Sequence, residues 1–297
     1  MQTPLDMASS PRFLTASITN SSDLQTATEA WCSNSATATS NYGEISSWDT
    51  AAVTDMSNLF TSYCSTRATF NDDIGAWDVS KVTTLKSTFA NANAFNQPLE
   101  AWDVARATTL KGTFNKANAF NQPLEAWDVA RVTTLEGMFI NANAFNQPLD
   151  GWAVSQVTTL QGTFNSATSF NQPLSSWNVS KVTSLKWAIH YALAFNQPLE
   201  AWDVSKVTTL YLTFWNARAF NQPLAAWDIA KVTTLYQTFR YASAFKQELC
   251  WDTSNKNTYK MFSGSQGSNN PSAAKCACVA GLFYDGTACA TCDEGTI

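Results

Sequence analysis

Apolar and polar positions repeat along this chain on a fixed beat of 25 residues. Phe-Asn-Gln-Pro-Leu begins at Phe95, Phe120, Phe145, Phe170, Phe195 and Phe220, with nothing inserted or deleted between them. Tryptophan keeps the same step at Trp77, Trp102, Trp127, Trp152, Trp177, Trp202 and Trp227, with outlying members at Trp48 and Trp251. A period of this length is the mark of a solenoid, in which no single repeat buries its apolar face alone and neighbours supply the core. Within one unit, Leu124-Glu-Ala-Trp127-Asp-Val129 predicts a short parallel strand. Val132, Leu135, Phe139 and Ala142 then fall at i, i+3, i+7 and i+10, which predicts a helical or 3₁₀ return path. Ser80, Ser155, Ser180 and Ser205 stand where a hydroxyl caps the first turn of that path, and Asn-Gln-Pro turns the chain back.

Two columns are predicted to be structural. A tryptophan at the inward position of every coil has to be covered by its neighbours, so the column is assigned to the core rather than to a sugar-stacking surface. The asparagines from Asn71 to Asn221 are expected to bond the turn backbones of adjacent coils.

Composition narrows the classes of function. With 45% hydrophobic residues the chain builds a sizeable core, while 14% charged residues and a net charge of -5 leave no footprint for nucleic acid or an anionic membrane. No apolar run has the length of a spanning helix, and Met1 to Ala16 lacks the apolar stretch of a signal peptide, so a longer parent chain is expected. Cys32 and Cys64 lie near the start, whereas Cys250, Cys276, Cys278, Cys289 and Cys292 crowd the end. His190 is the single histidine and is far in sequence from every cysteine, so disulfides are preferred to zinc and an extracellular or cell-surface location is expected. Asn20-Ser-Ser and Asn178-Val-Ser are glycosylation sequons compatible with secretion.

Leu-x-x-Trp-x-Val is the L-x-x-L-x-L spacing of a leucine-rich repeat. More closely, the unit resembles the BspA-like surface-protein repeat of the mycoplasma-lipoprotein type, approximately F-N-x-x-L-x-x-W-D-V-S-x-V-T-x-M-x-x-M-F. The likeness covers residues 45 to 252, beginning at Ile45-Ser-Ser-Trp48-Asp-Thr-Ala-Ala-Val53-Thr-Asp-Met56. The resemblance implies a surface or extracellular protein with a role in adhesion or recognition, and it carries over no catalytic residue. The expected fold is an α/β-type repeat solenoid, a right-handed leucine-rich-repeat-like superhelix with one short parallel strand and one short helix or 3₁₀ turn per coil. Three regions are expected: a helical N-terminal cap at 1–44, the solenoid at 45–252, and a disulfide-rich C-terminal segment at 253–297.

The sequence departs from that pattern at both ends. Four extra residues between Phe60 and Phe70 carry Cys64, and a Cys32–Cys64 bridge is expected to pin the upstream helix over the first coil. At the other end, Cys250, Cys276, Cys278 and Cys289 are expected to bridge and anchor the tail, and Cys292 is left over for a partner in a continuation of the chain.

Candidate binding positions form columns. Asp78, Asp103, Asp128, Asp203 and Asp228 form an acidic column on the expected strand face, and Lys81, Arg106, Arg131, Lys181, Lys206 and Lys231 form a basic one. These read as a solvated, mutually neutralising face rather than a calcium site or a carboxylate pair, so no metal, cofactor or catalytic residue is expected. On the return path, Lys111, Gly112 and Asn115 or Gln161, Gly162 and Asn165 in early coils give way to Trp187, His190 and Tyr191, then Tyr211, Leu212, Trp215 and Arg218, then Tyr236, Arg240 and Tyr241. Aromatic and arginine residues supply most binding hot spots, so this patch is either a contact surface for a partner or a floor for the chain's own tail. Paired threonines such as Thr83-Thr84 and Thr133-Thr134 are read as local capping rather than an ice-matching array. The leading expectation is a monomeric surface recognition or adhesion module that binds a protein or glycan. The alternative is a structural subunit assembling end to end, and an enzyme is weakest because every common catalytic constellation lacks a part.

Overall fold

The computed structural model describes residues 16–270 and the backbone of two further short strands. The chain begins with two helices, α1 (Ser21–Ser33) and α2 (Ser35–Tyr42). The Asn20 side chain accepts from the backbone N–H groups of Ser22 and Asp23, which satisfies the first free amides of α1. Gly43, at φ 79°, closes α2 in a left-handed conformation that suits glycine. Leu24, Ala27 and Cys32 of α1 are buried, and a disulfide ties Cys32 to Cys64 with Cα atoms 5.0 Å apart. Cys64 follows a one-turn helix, α3 (Leu59–Ser62), in the first unit. Two helices thus precede the first unit, and the expected Cys32–Cys64 bridge is present.

From there each unit is laid on the one before it in parallel register. Asp55, Thr84, Thr109, Thr134, Thr159, Ser184, Thr209, Thr234 and Asn257 form one continuous line of parallel bridges. Hydrogen bonds extend the contact along each unit: Leu110 N–H donates to Thr134 C=O (3.3 Å), Gly112 to Glu136 (2.8 Å), Phe114 to Met138 (2.9 Å) and Lys116 to Ile140 (2.6 Å). The alternate amides turn back within the unit, as Thr113 N–H to Leu110 C=O, Asn115 to Gly112 and Ala117 to Phe114. Every second N–H thus serves stacking and the others serve tight turns, which leaves few orphan donors.

This arrangement corrects the element assignment read from the sequence. The parallel ladder runs through Val-Thr-Thr-Leu, not through Leu124–Val129, and among the described residues the units from 70 to 252 contain no helix. The apolar spacing misled because successive three-residue turns bring every third or fourth side chain inward, as a helix does. A helix is broken at two places per unit, where Gly112 (φ 64°) and Lys116 (φ 60°) enter the left-handed region. At the supposed strand, Trp127 N–H turns back to Leu124 C=O, and the link to the previous unit is made by a side chain: Trp127 Nε1–H donates to Leu99 C=O at 2.9 Å.

The interior is columns of rings. Trp102 and Trp127 stack at 6.5 Å, Phe114 and Phe139 at 5.8 Å, Phe120 and Phe145 at 6.1 Å, and Phe114 meets Phe120 at 4.0 Å within its own unit. All of these residues are buried, the tryptophans included. The asparagine ladder is present as expected: Asn96 Oδ1 accepts from Asn121 N–H and Asn121 Oδ1 from Asn146 N–H, both at 2.9 Å. Gln147 Nε2 adds a bond to the Asn121 carbonyl at 3.0 Å.

Stacking does not stop at Asp252, where the sequence reading ended it. Asn257 pairs with Thr234, and β1 (Glu248–Leu249) pairs in parallel with β2 (Ser268–Asn269). Beyond it, β3 (Leu282–Tyr284) and β4 (Cys289–Thr291) form an antiparallel pair. Cys250 is disulfide-bonded. The bridges expected of Cys276, Cys278 and Cys289, and the unpaired state expected of Cys292, lie outside the described side chains.

Candidate functional site

The two charged columns have local tasks. Asp78, Asp103, Asp128, Asp203 and Asp228 each accept, through Oδ1, the backbone N–H two residues on, at 2.9 to 3.0 Å. That is an Asx turn, which fixes the corner after tryptophan. Asn178 does the same for Ser180, whereas Ala153 offers Ser155 N–H no acceptor, and in that unit Val154 N–H bonds the Trp152 carbonyl. Ser80 and Ser205 hydroxyls, assigned in sequence to helix capping, instead bond these carboxylates and hold Asp78 and Asp203 below the ordinary range, with smaller contributions from Lys81, Lys206 and Lys231. Arg106, Arg131, Lys181, Lys206 and Lys231 are exposed, and among the described residues no ion pair joins them to the acidic column; Lys181 bonds Gln156 Oε1 at 2.7 Å. The expected mutual neutralisation is thus solvation without direct pairing.

The threonines are likewise consumed by stacking rather than by helix capping. Thr108 Oγ1 donates to Thr83 C=O at 3.2 Å, a bond that recurs unit by unit, and Thr109 Oγ1 accepts from Lys111 N–H.

The return path carries the candidate site. Its two left-handed positions per unit hold Gly112, Gly137 and Gly162 at the first and Lys116, Asn141 and Ser166 at the second. In the next units the same backbone carries Trp187 (φ 58°), Leu212 (φ 56°) and Gln237 at the first, and Tyr191 (φ 56°), Asn216 and Tyr241 (φ 61°) at the second. Left-handed backbone costs a side-chain-bearing residue about 1–2 kcal/mol that glycine escapes, and a bulky residue there is an outlier. Part of the aromatic change along this face, at Trp187, Tyr191 and Tyr241, therefore falls on the most demanding positions of the repeat.

Parallel stacking assembles these residues into two lines. Tyr211 and Tyr236 stack at 5.0 Å, Tyr236 and Tyr259 at 5.4 Å, and Trp187 meets Tyr211 edge-on at 6.2 Å. In the second line His190 stacks on Trp215 at 4.8 Å, Tyr191 lies 6.1 Å from the same ring, and Tyr241 meets it edge-on at 5.7 Å. Lys186 Nζ sits 4.1 Å over Trp187, and the Arg240 guanidinium 4.6 Å over Tyr241, whose hydroxyl accepts from Arg240 at 2.7 Å. Arg218 is exposed, with Nε bonded to Asn216 Oδ1 at 3.0 Å. A groove of about 580 Å³ opens between Tyr191, Trp215, Arg218 and Tyr241.

Sequence reasoning missed three members of this face: Lys186, Tyr259 and Lys260. Tyr259 and Lys260 were assigned to the tail, yet Tyr259-Lys-Met-Phe262 repeats Tyr236-Gln-Thr-Phe239 after a unit shortened to 23 residues. Residues 253–270 prolong the face instead of lying over it. Across 186–193, 211–218, 236–243 and 259–266 there is no Asp or Glu, while Lys186, Arg218, Arg240 and Lys260 supply positive charge. His190 adds none near neutrality, because burial holds its pKa down at about 4.

Neither a curated protein nor a solved structure matches this chain. The family described as "Mycoplasma protein of unknown function, DUF285" matches residues 29–152, 99–198 and 172–274, three overlapping spans that reflect the internal repeat. Together these spans run from 29 to 274 of the 297 residues, and the chain belongs to that family.

Proposed function

We propose that this is a secreted or cell-surface recognition module, a right-handed solenoid of the BspA-like leucine-rich-repeat kind, that binds a protein or glycan through the face from Trp187 to Tyr259. The observation that carries the reading is the placement of Trp187 and Leu212 on left-handed backbone where the three preceding units use Gly112, Gly137 and Gly162, with Tyr191 and Tyr241 at the second such position, held in earlier units by Asn91, Lys116, Asn141 and Ser166. Packing alone gives little reason for it, because stacked rings return about 0.5–1.5 kcal/mol per pair, comparable to the backbone cost. Tyr241 and Tyr259 are 41% and 53% exposed, so much of their apolar surface awaits a covering partner. The Cys32–Cys64 disulfide supports an oxidising, extracellular setting. No catalytic role is assigned to any residue, since the carboxylates of the repeat are engaged as turn acceptors.

Capture on glycan and protein arrays tests the reading. Tyr241→Ala and Trp215→Ala are expected to abolish the principal signal, each weakening binding by about 1–4 kcal/mol with little change in thermal unfolding. Array binding that survives both substitutions would reject this face as the recognition surface.

A further inference from the structure

Resting on that reading of the face, we propose that its ligand is a linear anionic polysaccharide laid along the stacking direction. Charge is the first argument. The chain as a whole carries a net charge of -5, yet four consecutive units present Lys186, Arg218, Arg240 and Lys260 on this side without one carboxylate. A positive face on a net-negative chain is a local concentration of charge that attracts an anion. Among anion-binding groups, guanidinium matches a carboxylate or sulfate with two parallel hydrogen bonds. Arg218 meets that need, since Asn216 Oδ1 holds its Nε while the residue stays exposed.

Spacing is the second argument. Tyr211, Tyr236 and Tyr259 recur once per unit with ring centroids 5.0 and 5.4 Å apart. One extended pyranose residue advances by about this distance, so each sugar meets an equivalent ring edge and hydroxyl of the stacked tyrosines. An extended acidic peptide does not keep step: side chains on one of its faces recur roughly 6.6 Å apart, twice the rise per residue, and drift off register within two or three units. The third argument is shape. The groove between Tyr191, Trp215 and Tyr241, at about 580 Å³, has Arg218, Asn216 and Ser243 along its walls. Apolar ring surface thus lies beside hydroxyl-bonding and anion-bonding groups in one groove.

The test is calorimetric titration of the full, disulfide-intact chain with four probes: a β-1,4-linked mannuronate hexamer, a heparin hexasaccharide, neutral cellohexaose and hexaglutamate. At least one anionic saccharide is expected to bind with submillimolar affinity, about tenfold or more above cellohexaose, and to weaken as salt rises. The stronger of mannuronate and heparin distinguishes carboxylate from sulfate as the source of charge. Arg218→Ala and Tyr241→Ala are each expected to lower that affinity about tenfold with unchanged melting, whereas Lys206→Ala, on the remote basic column, leaves it unaltered. Equal binding of cellohexaose, or affinity indifferent to Arg218→Ala and Tyr241→Ala, overturns the proposal. Binding of hexaglutamate without either anionic saccharide also overturns it while leaving the recognition surface standing. If no probe binds, the ligand proposal falls; if Tyr241→Ala then also exposes residues 271–297 to protease, the face seats the chain's own tail, and the recognition reading falls with it.

Discussion

Trp187 stands one unit after Gly162 at the same left-handed backbone position, φ 58° against 64°. Replacing Trp187 by alanine and by glycine removes the ring in both cases and isolates the backbone. Relief of left-handed strain is about 1–2 kcal/mol in favour of glycine, and glycine's greater unfolded-state freedom takes back about 0.5–1 kcal/mol. Trp187→Gly is therefore expected to be more stable than Trp187→Ala by about 0.5–1 kcal/mol in urea unfolding. The opposite order, which is usual at sites of negative φ, would remove the strain argument.

Trp127 tests the ring column. It is 2% exposed, stacks on Trp102 and donates to the Leu99 carbonyl. Trp127→Ala is expected to cost about 3–5 kcal/mol, the scale for emptying a buried tryptophan site. Trp127→Phe keeps a ring and loses one of the two bonds to the Leu99 carbonyl, which still accepts from Trp102 N–H, at about 0.5–1.5 kcal/mol. Chemical denaturation of the two variants reads both figures, and a near-neutral Trp127→Ala would contradict the core assignment.

The Cys32–Cys64 bridge closes a separation of 32 residues, and chain entropy assigns such a loop about 3–4 kcal/mol. Paired Cys32→Ser and Cys64→Ser substitutions should act locally, because contacts in a stacked array pass only between neighbouring units. Hydrogen exchange is expected to rise in α1, α2 and the first unit while residues near Trp202 keep their protection. Uniform loss of protection along the whole chain would show a single cooperative unit instead.

What the sequence could disclose depended on how each residue does its work. Trp127 and Asn121 act once per unit in the same way, so their roles as core ring and turn ladder followed from the period. The Cys32–Cys64 pairing followed from the insertion that carries Cys64. Secondary structure was less accessible, because Val132, Leu135, Phe139 and Ala142 have the spacing of a helical stripe and also that of consecutive turns. The available signal was Gly112, Gly137 and Gly162 beside Asn91 and Asn141, residue types that tolerate positive φ, four residues apart. It was read as small surface residues. Trp187 and Leu212 were recognised as a change of surface, but their backbone strain is visible only in the folded chain. Tyr259 escaped because a unit two residues shorter broke the beat that had guided every other assignment.

His190 supplies the last test, through pH. Its ring stacks on Trp215 at 4.8 Å, and Nδ1 lies 3.0 Å from Asn165 Oδ1. Burial lowers the folded-state pKa to about 4, while the unfolded chain titrates near the ordinary value of 6.5. Between these values the unfolded state binds more protons than the folded one, so stability rises with pH across that window and is lost as pH falls through it. The aromatic face offers no carboxylate to offset the charge. His190 remains partly exposed, so screening reduces the penalty to about 1–2 kcal/mol. Wild-type protein should lose that much between about pH 6.5 and 4, and His190→Gln should flatten this part of the profile. Asp78, Asp203 and Asp252 have carboxyls held below their ordinary value of 3.8, so their loss of stabilisation is centred at lower pH and separates from the histidine's. The imidazole proton resonances in the folded protein should stay at their neutral positions down to about pH 5. A midpoint near 6.5 in the folded state would mean that Trp215 does not shield the ring from water, and that the face is looser than its stacked geometry requires.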